Sequence, residues 1–257
     1  YHRDKQAYCW FDLMHEVCVV SLARVLESER WSHGSQEWSK LGCFYKAGAI
    51  GVEFHPGELE VEEVDAEMVF EACKCTPQSA PGMDAWQPRE LALFSKEVCN
   101  QVAILFRLIE DGAQWPQSTI HAKVMYLEKA GGTIGEVMSF RPLTITSPLY
   151  RRWATMRLGC MHGWVCSWML PEMYAGVPGM GAVDAWYKVL TDIEQFNVEE
   201  QPYCGGVTDI VKFFDQIIRE LVYMIARSAG MPRKVLEACK RYVEGLKVYN
   251  CLAGGLG

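Results

Sequence analysis

Residues 123–145 read KVMYLEKAGGTIGEVMSFRPLTI and contain two candidate strands. Its two ends, Lys123–Leu127 and Arg141–Ile145, are short apolar runs of the length and composition typical of strands. A Gly-Gly pair between them favours a tight turn. Pro142 stands near the start of the second run, where a missing backbone N–H is tolerated. The stretch therefore predicts a β hairpin.

Helical patterns lie on both sides of this hairpin. Pro88 begins a helix whose apolar stripe continues to Gly112, and Ser147-Pro148 begins another that reaches Arg157. A third helix is predicted over residues 182–197. It is expected to bury Ala185, Trp186, Val189, Leu190, Ile193 and Phe196. Two more helices are predicted after residue 216, separated by Gly230 and Pro232. The predicted fold class is helix-rich α+β.

Residues 207–215 read VTDIVKFFD. The apolar run predicts a strand that places Asp209 at its end, followed by Phe214 and then Asp215. A carboxylate at a strand end suits phosphoryl transfer, because Mg²⁺ takes hard oxygen ligands and keeps positions open for phosphate. Asp215 precedes a predicted helix and is interpreted as its N-cap rather than a ligand.

Charge is unevenly distributed along the chain. The formal net charge is −7, which at first disfavours nucleic-acid binding. Residues 116–170, however, carry six basic and two acidic groups, and residues 207–257 carry eight and five. These two segments hold the motifs described above. Because phosphate binding depends on local basic patches, the overall sign does not exclude a nucleic-acid partner.

The chain contains 11 cysteines, and neither a secretory signal pattern nor an apolar run long enough to span a membrane is seen. We therefore expect reduced thiols rather than a disulfide framework, in an intracellular protein of the cytoplasm or nucleus. Cys73 with Cys75, and Cys160 with His162 and Cys166, invite a zinc interpretation. Neither group has two ligand pairs at the usual spacing, so core packing is preferred.

Four segments, in order, resemble the reverse transcriptases of non-LTR (LINE-like) retrotransposons and group II introns. Ala80–Asp84 is similar to the Pro-Gly-x-Asp-Gly loop at the base of the fingers, although Ala85 replaces the usual final glycine. The stretch 126–144 resembles the fingers hairpin, with Glu128 where proline is frequent. Residues 174–185 resemble the glycine-rich stretch before the catalytic strand. Asp209–Asp215 resembles the first catalytic motif.

The resemblance implies an RNA-directed DNA polymerase that uses two Mg²⁺ ions. Lys129 and Arg141 would bind the triphosphate of the incoming deoxynucleotide. Asp209 would be the catalytic metal ligand, assisted by the backbone carbonyl of Ile210. Phe214 would lie under the deoxyribose and exclude a 2′-hydroxyl, or else pack in the core. The implied partners are an RNA template, a DNA primer and deoxynucleotide triphosphates, without a membrane.

The resemblance also implies a domain division and a limit on activity. Residues 1–59 would be an upstream helical segment, residues 60–202 the fingers-like region and residues 203–257 part of the palm of a right-hand polymerase. The chain has no Asp-Asp dipeptide, which supplies the second carboxylate motif in the family. We therefore expect a retroelement fragment that is inactive by itself. The alternatives are a non-catalytic nucleic-acid-binding remnant and an unrelated helical interaction protein.

Overall fold

The computed structural model of the chain describes residues 57–74, 79–133, 136–169, 171, 173–174, 176–177, 179–205, 218–252 and 255–256. These residues belong to two compact units. The unit that we call the sheet unit comprises Glu60–Cys160 and Pro232–Gly257, and the helical unit comprises Met161–Met231 with the residues up to Leu59. The upstream segment 1–59 lies almost wholly outside the described residues, and its role stays a prediction.

The sheet unit begins with three helices. They are α1 (Ala66–Lys74), α2 (Pro88–Leu91) and α3 (Lys96–Glu110). The prediction of one continuous helix from Pro88 was wrong, because the helix stops after Leu91 and a new one starts at Lys96. The Ser95 hydroxyl explains the restart, since it accepts a hydrogen bond from the Val98 N–H at 3.4 Å and so caps α3.

A mixed sheet forms the other layer of this unit. Its strands are β1 (His121–Glu128), β2 (Phe140–Ile145), β3 (Lys247–Leu252) and β4 (Gly255–Leu256), in the order β2-β1-β3-β4. β1 is antiparallel to β2 and parallel to β3. The predicted hairpin is therefore confirmed, whereas β3 was not predicted. Helices and a small sheet together confirm the helix-rich α+β class; the polymerase fold stays a prediction.

The helix after the hairpin carries Arg157, which is the most deeply buried charged side chain among the described residues. Helix α4 spans Pro148–Cys160, and the Ser147 hydroxyl at its start accepts from the Leu149 N–H at 3.2 Å. On this helix, Arg157 donates from Nε and Nη2 to the two carboxylate oxygens of Glu110 at 2.7 and 2.5 Å. Both side chains are almost completely buried. This bidentate pair joins α3 to α4.

An aromatic cluster completes the core of the sheet unit. Trp115 lies 5.2 to 6.3 Å, between ring centroids, from four other aromatic rings. These rings belong to Phe106, Tyr150, Trp153 and Tyr242. Tyr242 lies on helix α5 (Arg233–Gly245), which begins after Pro232 as predicted.

The helical unit contains helices His162–Trp168, Ala182–Val198 and Arg219–Ser228. The second confirms the predicted helix over 182–197, but its predicted burial was wrong: Trp186 is 65% exposed and Leu190 54%. None of its described residues is buried, and Phe196 of its apolar stripe contacts only the ring of Tyr203 among the aromatic rings that the structure describes. Each helix in the described ranges is too short or too polar to cross a lipid bilayer.

Burial distinguishes the cysteines. Cys73 and Cys99, on the packed helices α1 and α3, are buried, so core packing is confirmed for Cys73. Cys160 and Cys166 are exposed, so core packing was wrong for them. Cys75 lies outside the described residues. The seven cysteines within the described ranges are free thiols.

Native Cys73 should resist alkylation. Burial raises its pKa from 9.0 to about 11, and the nearby Cys99 adds to the rise. The pKa of Cys73 is higher in the folded chain than in the unfolded one. The contribution of this thiol to the free energy of unfolding is therefore present below about pH 9 and is lost as the pH rises towards 11. At about pH 8, iodoacetamide should label exposed Cys204 first and Cys73 only after unfolding in urea. Mass spectrometry measures both, and equal labelling in the native chain would contradict the prediction.

Candidate nucleotide-binding hairpin

The hairpin places Arg141 opposite Leu127, and Met125 opposite Leu143. Residues that face each other across antiparallel strands, and those two apart along a strand, lie on one face. All four of these residues are exposed. Alternation puts Val124 on the other face, where it is buried. The hairpin therefore has one face that is buried at Ala122 and Val124, and one open face that combines apolar side chains with a cation.

The turn of the hairpin is shaped by glycine and serine. Gly131 has φ +76°, a conformation that favours glycine. A side chain at Gly132 would have its Cβ only 2.8 Å from the Cβ of Ser139. Buried Ser139 accepts at Oγ from the Thr133 N–H at 3.0 Å, and at its carbonyl from the Lys129 N–H at 2.8 Å. These contacts fix both ends of the turn, on either side of residues 134–135, which lie outside the described ranges.

Lys129 is half-buried at the end of β1. Its Nζ donates to the Met138 carbonyl oxygen at 2.8 Å. An ammonium has three N–H donors, so this bond leaves donors for another acceptor. Lys129 directly follows the last residue of β1, and its backbone N–H still pairs with the Ser139 carbonyl oxygen at 2.8 Å. Its charged group is thus held by the turn rather than extended freely into solvent.

Arg141 presents its guanidinium differently. It is exposed on β2, an edge strand, and makes no hydrogen bond or ion pair with any residue in the described ranges. A guanidinium offers five N–H donors in a planar fork that matches phosphate or carboxylate oxygens. Of the two predicted nucleotide-binding cations, Lys129 is therefore bonded to the turn, whereas Arg141 lies on the open face without a partner among the described residues.

The loop resembling Pro-Gly-x-Asp-Gly packs beside the end of β2. A Cβ at Gly82 would lie 3.0 Å from the Thr146 carbonyl oxygen, so only glycine fits there without a shift. Ala85 has φ +62°, a conformation that favours the glycine found in the family. The substitution therefore leaves the backbone in a glycine-like turn, at the cost of some strain.

Arg151 fastens this loop, and its role was not predicted. It donates to Ser79 Oγ at 2.9 Å and to the Ala80 carbonyl at 2.8 Å. Burial lowers the pKa of Arg151 and the adjacent Arg152 lowers it further, while the Asp84 carboxylate acts in the opposite direction. Both carboxylate oxygens of Asp84 are buried without a hydrogen-bond partner among the described residues. The Arg-Arg pair after Ser147-Pro148 was the signal available in the sequence.

The predicted catalytic residues lie elsewhere in the chain. Asp209, Ile210 and Phe214, together with Asp215, fall within residues 206–217, outside the described ranges. The candidate site described here therefore contains only the hairpin and its neighbours, and the roles of these four residues stay predictions. In the part of the chain that the structure describes, no group of three or more His, Cys, Asp or Glu side chains is arranged to hold a metal ion.

No family model matches this chain, and no curated protein matches it either. The support for a function must therefore come from the hairpin itself. The hairpin has an open sheet face on which the Arg141 guanidinium has no partner among the described residues, and its turn holds the Lys129 ammonium through one hydrogen bond.

Proposed function

We propose that this chain carries the nucleotide-binding hairpin of an RNA-directed DNA polymerase of the non-LTR retroelement type. The observation that supports the proposal best is Arg141, exposed on the open face of a formed hairpin whose turn also holds Lys129. A triphosphate needs such a combination, because a planar fork binds two oxygens at once while an ammonium adds a compact charge. The apolar side chains of the same face suit the flat surface of a base.

The catalytic part of the proposal rests on the resemblance. Asp209 and the Ile210 carbonyl would hold Mg²⁺, and Phe214 would contact the deoxyribose. Template and primer would be RNA and DNA. Since these residues lie outside the described ranges, the hairpin is the part of the proposal that can be tested on its own contacts.

Nucleotide binding tests the hairpin directly. We expect Arg141→Ala to weaken binding of a deoxynucleotide triphosphate to the chain by about tenfold or more, because a charge-assisted bidentate contact is lost. The loss should be smaller for the nucleoside, which lacks phosphate. Titration calorimetry at fixed salt measures both.

Arg89→Ala is the matched control, since Arg89 is also an exposed arginine of the sheet unit but lies on α2. It should leave the affinity unchanged. Equal losses in the two variants would mean that arginine contributes only general charge, and an unchanged affinity in Arg141→Ala would reject the proposed role of the hairpin.

A second candidate is a helical interaction protein. It is favoured by helix Ala182–Val198, on which Trp186, Tyr187 and Leu190 are exposed. Contiguous exposed apolar side chains often mark a contact surface. A chain that binds no nucleotide but associates in sedimentation experiments, and loses that association in Trp186→Ser, would favour this candidate over the polymerase proposal.

A further inference from the structure

His162 and Cys166 form a close pair on the surface of the helical unit. They are four residues apart on helix His162–Trp168, so they lie one turn apart on the same face. The distance between His162 Nε2 and Cys166 Sγ is 3.8 Å, and both residues are exposed. An imidazole and a thiol at this separation are two of the ligand types that bind zinc.

The separation of the two atoms matches shared coordination. Zinc–sulfur and zinc–nitrogen bonds of about 2.3 and 2.0–2.1 Å, at a tetrahedral angle, put the two ligand atoms roughly 3.6 Å apart. The observed 3.8 Å is close to this value, so the distance between the two atoms fits two ligands of one tetrahedral ion.

The helix is held so that the pair faces outward. Trp164, Val165 and Trp168 are buried on its other side. The Trp164 indole N–H donates to the Ala229 carbonyl oxygen at 2.5 Å, and its ring lies 5.3 Å, between centroids, from that of Trp168. Because these contacts fix the backbone and its rotation, the two ligands are positioned before any ion arrives.

We propose that His162 and Cys166 bind one divalent transition-metal ion, with zinc the best match. The neutral imidazole would coordinate through Nε2 and the thiolate through Sγ, and the thiol proton would pass to solvent. Imidazole and thiolate favour zinc over magnesium or calcium, which prefer oxygen. Two positions remain for water, so the site is open. Its residues belong to the helical unit, and the inference does not rest on the nucleotide-binding hairpin.

Cobalt titration of the full chain tests the site, since Co²⁺ replaces zinc and reports thiolate coordination by a near-ultraviolet charge-transfer band. We expect Cys166→Ser and His162→Ala each to weaken Co²⁺ binding by about tenfold or more. Removing a residue that only hydrogen-bonds a metal ligand already costs about that much, and a direct ligand should cost no less. Cys166→His supplies a second imidazole at the same position. It should retain binding yet lose the thiolate band.

Cys204→Ser is the control, because Cys204 is an exposed thiol in the same unit. It should change neither affinity nor spectrum, and circular dichroism should confirm that all variants fold. A difference spectrum between wild type and Cys166→Ser isolates this site from any other thiol or histidine. Wild-type binding in both Cys166→Ser and His162→Ala, or an equal loss in Cys204→Ser, would overturn the proposal.

Discussion

Glu110→Gln is expected to destabilise the chain by about 3–5 kcal/mol. The substitution keeps the shape of the side chain but removes the charge that compensates Arg157, which stays buried. Glu110 also accepts a hydrogen bond from the Trp153 indole N–H at 2.8 Å. The amide that replaces it has one acceptor oxygen and an NH₂ group that faces donors. Since a typical domain is stable by about 5–15 kcal/mol, the sheet unit should lose much of its stability.

Urea unfolding followed by circular dichroism would measure this effect. Glu63→Gln is the control, because Glu63 is exposed and should change stability by no more than about 0.5 kcal/mol. In the double variant with Arg157→Met the loss should be smaller than the sum of the single losses, since no buried charge is then left alone. Additive losses would show that the two side chains do not act as a pair.

Trp115→Ala is expected to cost about 3–5 kcal/mol. Trp115 is 3% exposed and contacts four aromatic rings, so alanine would leave a cavity that their rigid planes cannot fill. The indole N–H also donates to the Ala238 carbonyl oxygen at 2.9 Å, and that bond would be lost. The mutation therefore removes both packing and a buried hydrogen bond.

Two further variants separate these contributions. Trp115→Phe keeps most of the ring contacts and should lose about half as much or less. Trp86→Ala removes a tryptophan that is 47% exposed and contacts Phe94, so its cost should stay near 1 kcal/mol. Thermal unfolding monitored by circular dichroism compares all three. A cost for Trp86→Ala equal to that for Trp115→Ala would contradict the central place of Trp115.

Local signals in the sequence predicted the hairpin and the helix starts at Pro88, at Ser147-Pro148 and after Pro232. The turn at Gly131 and the cap at Ser147 use backbone chemistry that neighbouring residues specify, which is why both were found. The break between α2 and α3 was missed, because the apolar stripe passes from Leu91 through Phe94 to Val98 without interruption. The N-cap at Ser95, and not the spacing of apolar residues, sets where α3 begins.

Features that depend on distant partners were not predictable. Strand β3 is short and pairs with β1, which lies more than a hundred residues earlier in the chain. Because its stability as a strand comes mainly from that distant partner, its own residues give little indication of it. The stripe on helix Ala182–Val198 predicted burial, but periodicity shows only which face is apolar and not whether anything covers it. For the candidate site, the resemblance predicted roles for Lys129 and Arg141, whereas the bond from Lys129 to the Met138 carbonyl oxygen could be seen only in the folded turn.

The parallel pairing of β1 with β3 has a consequence for synthesis on the ribosome. His121 and Tyr249, whose side chains meet across these strands, are 128 positions apart. At about 5–20 residues per second, β1 would emerge roughly 6 to 26 s before its neighbour. From the completion of β2 until β3 emerges, the nascent chain has its hairpin but lacks one side of its sheet. This delay marks the period in which a chaperone that recognises unpaired strand edges would act on the growing polypeptide.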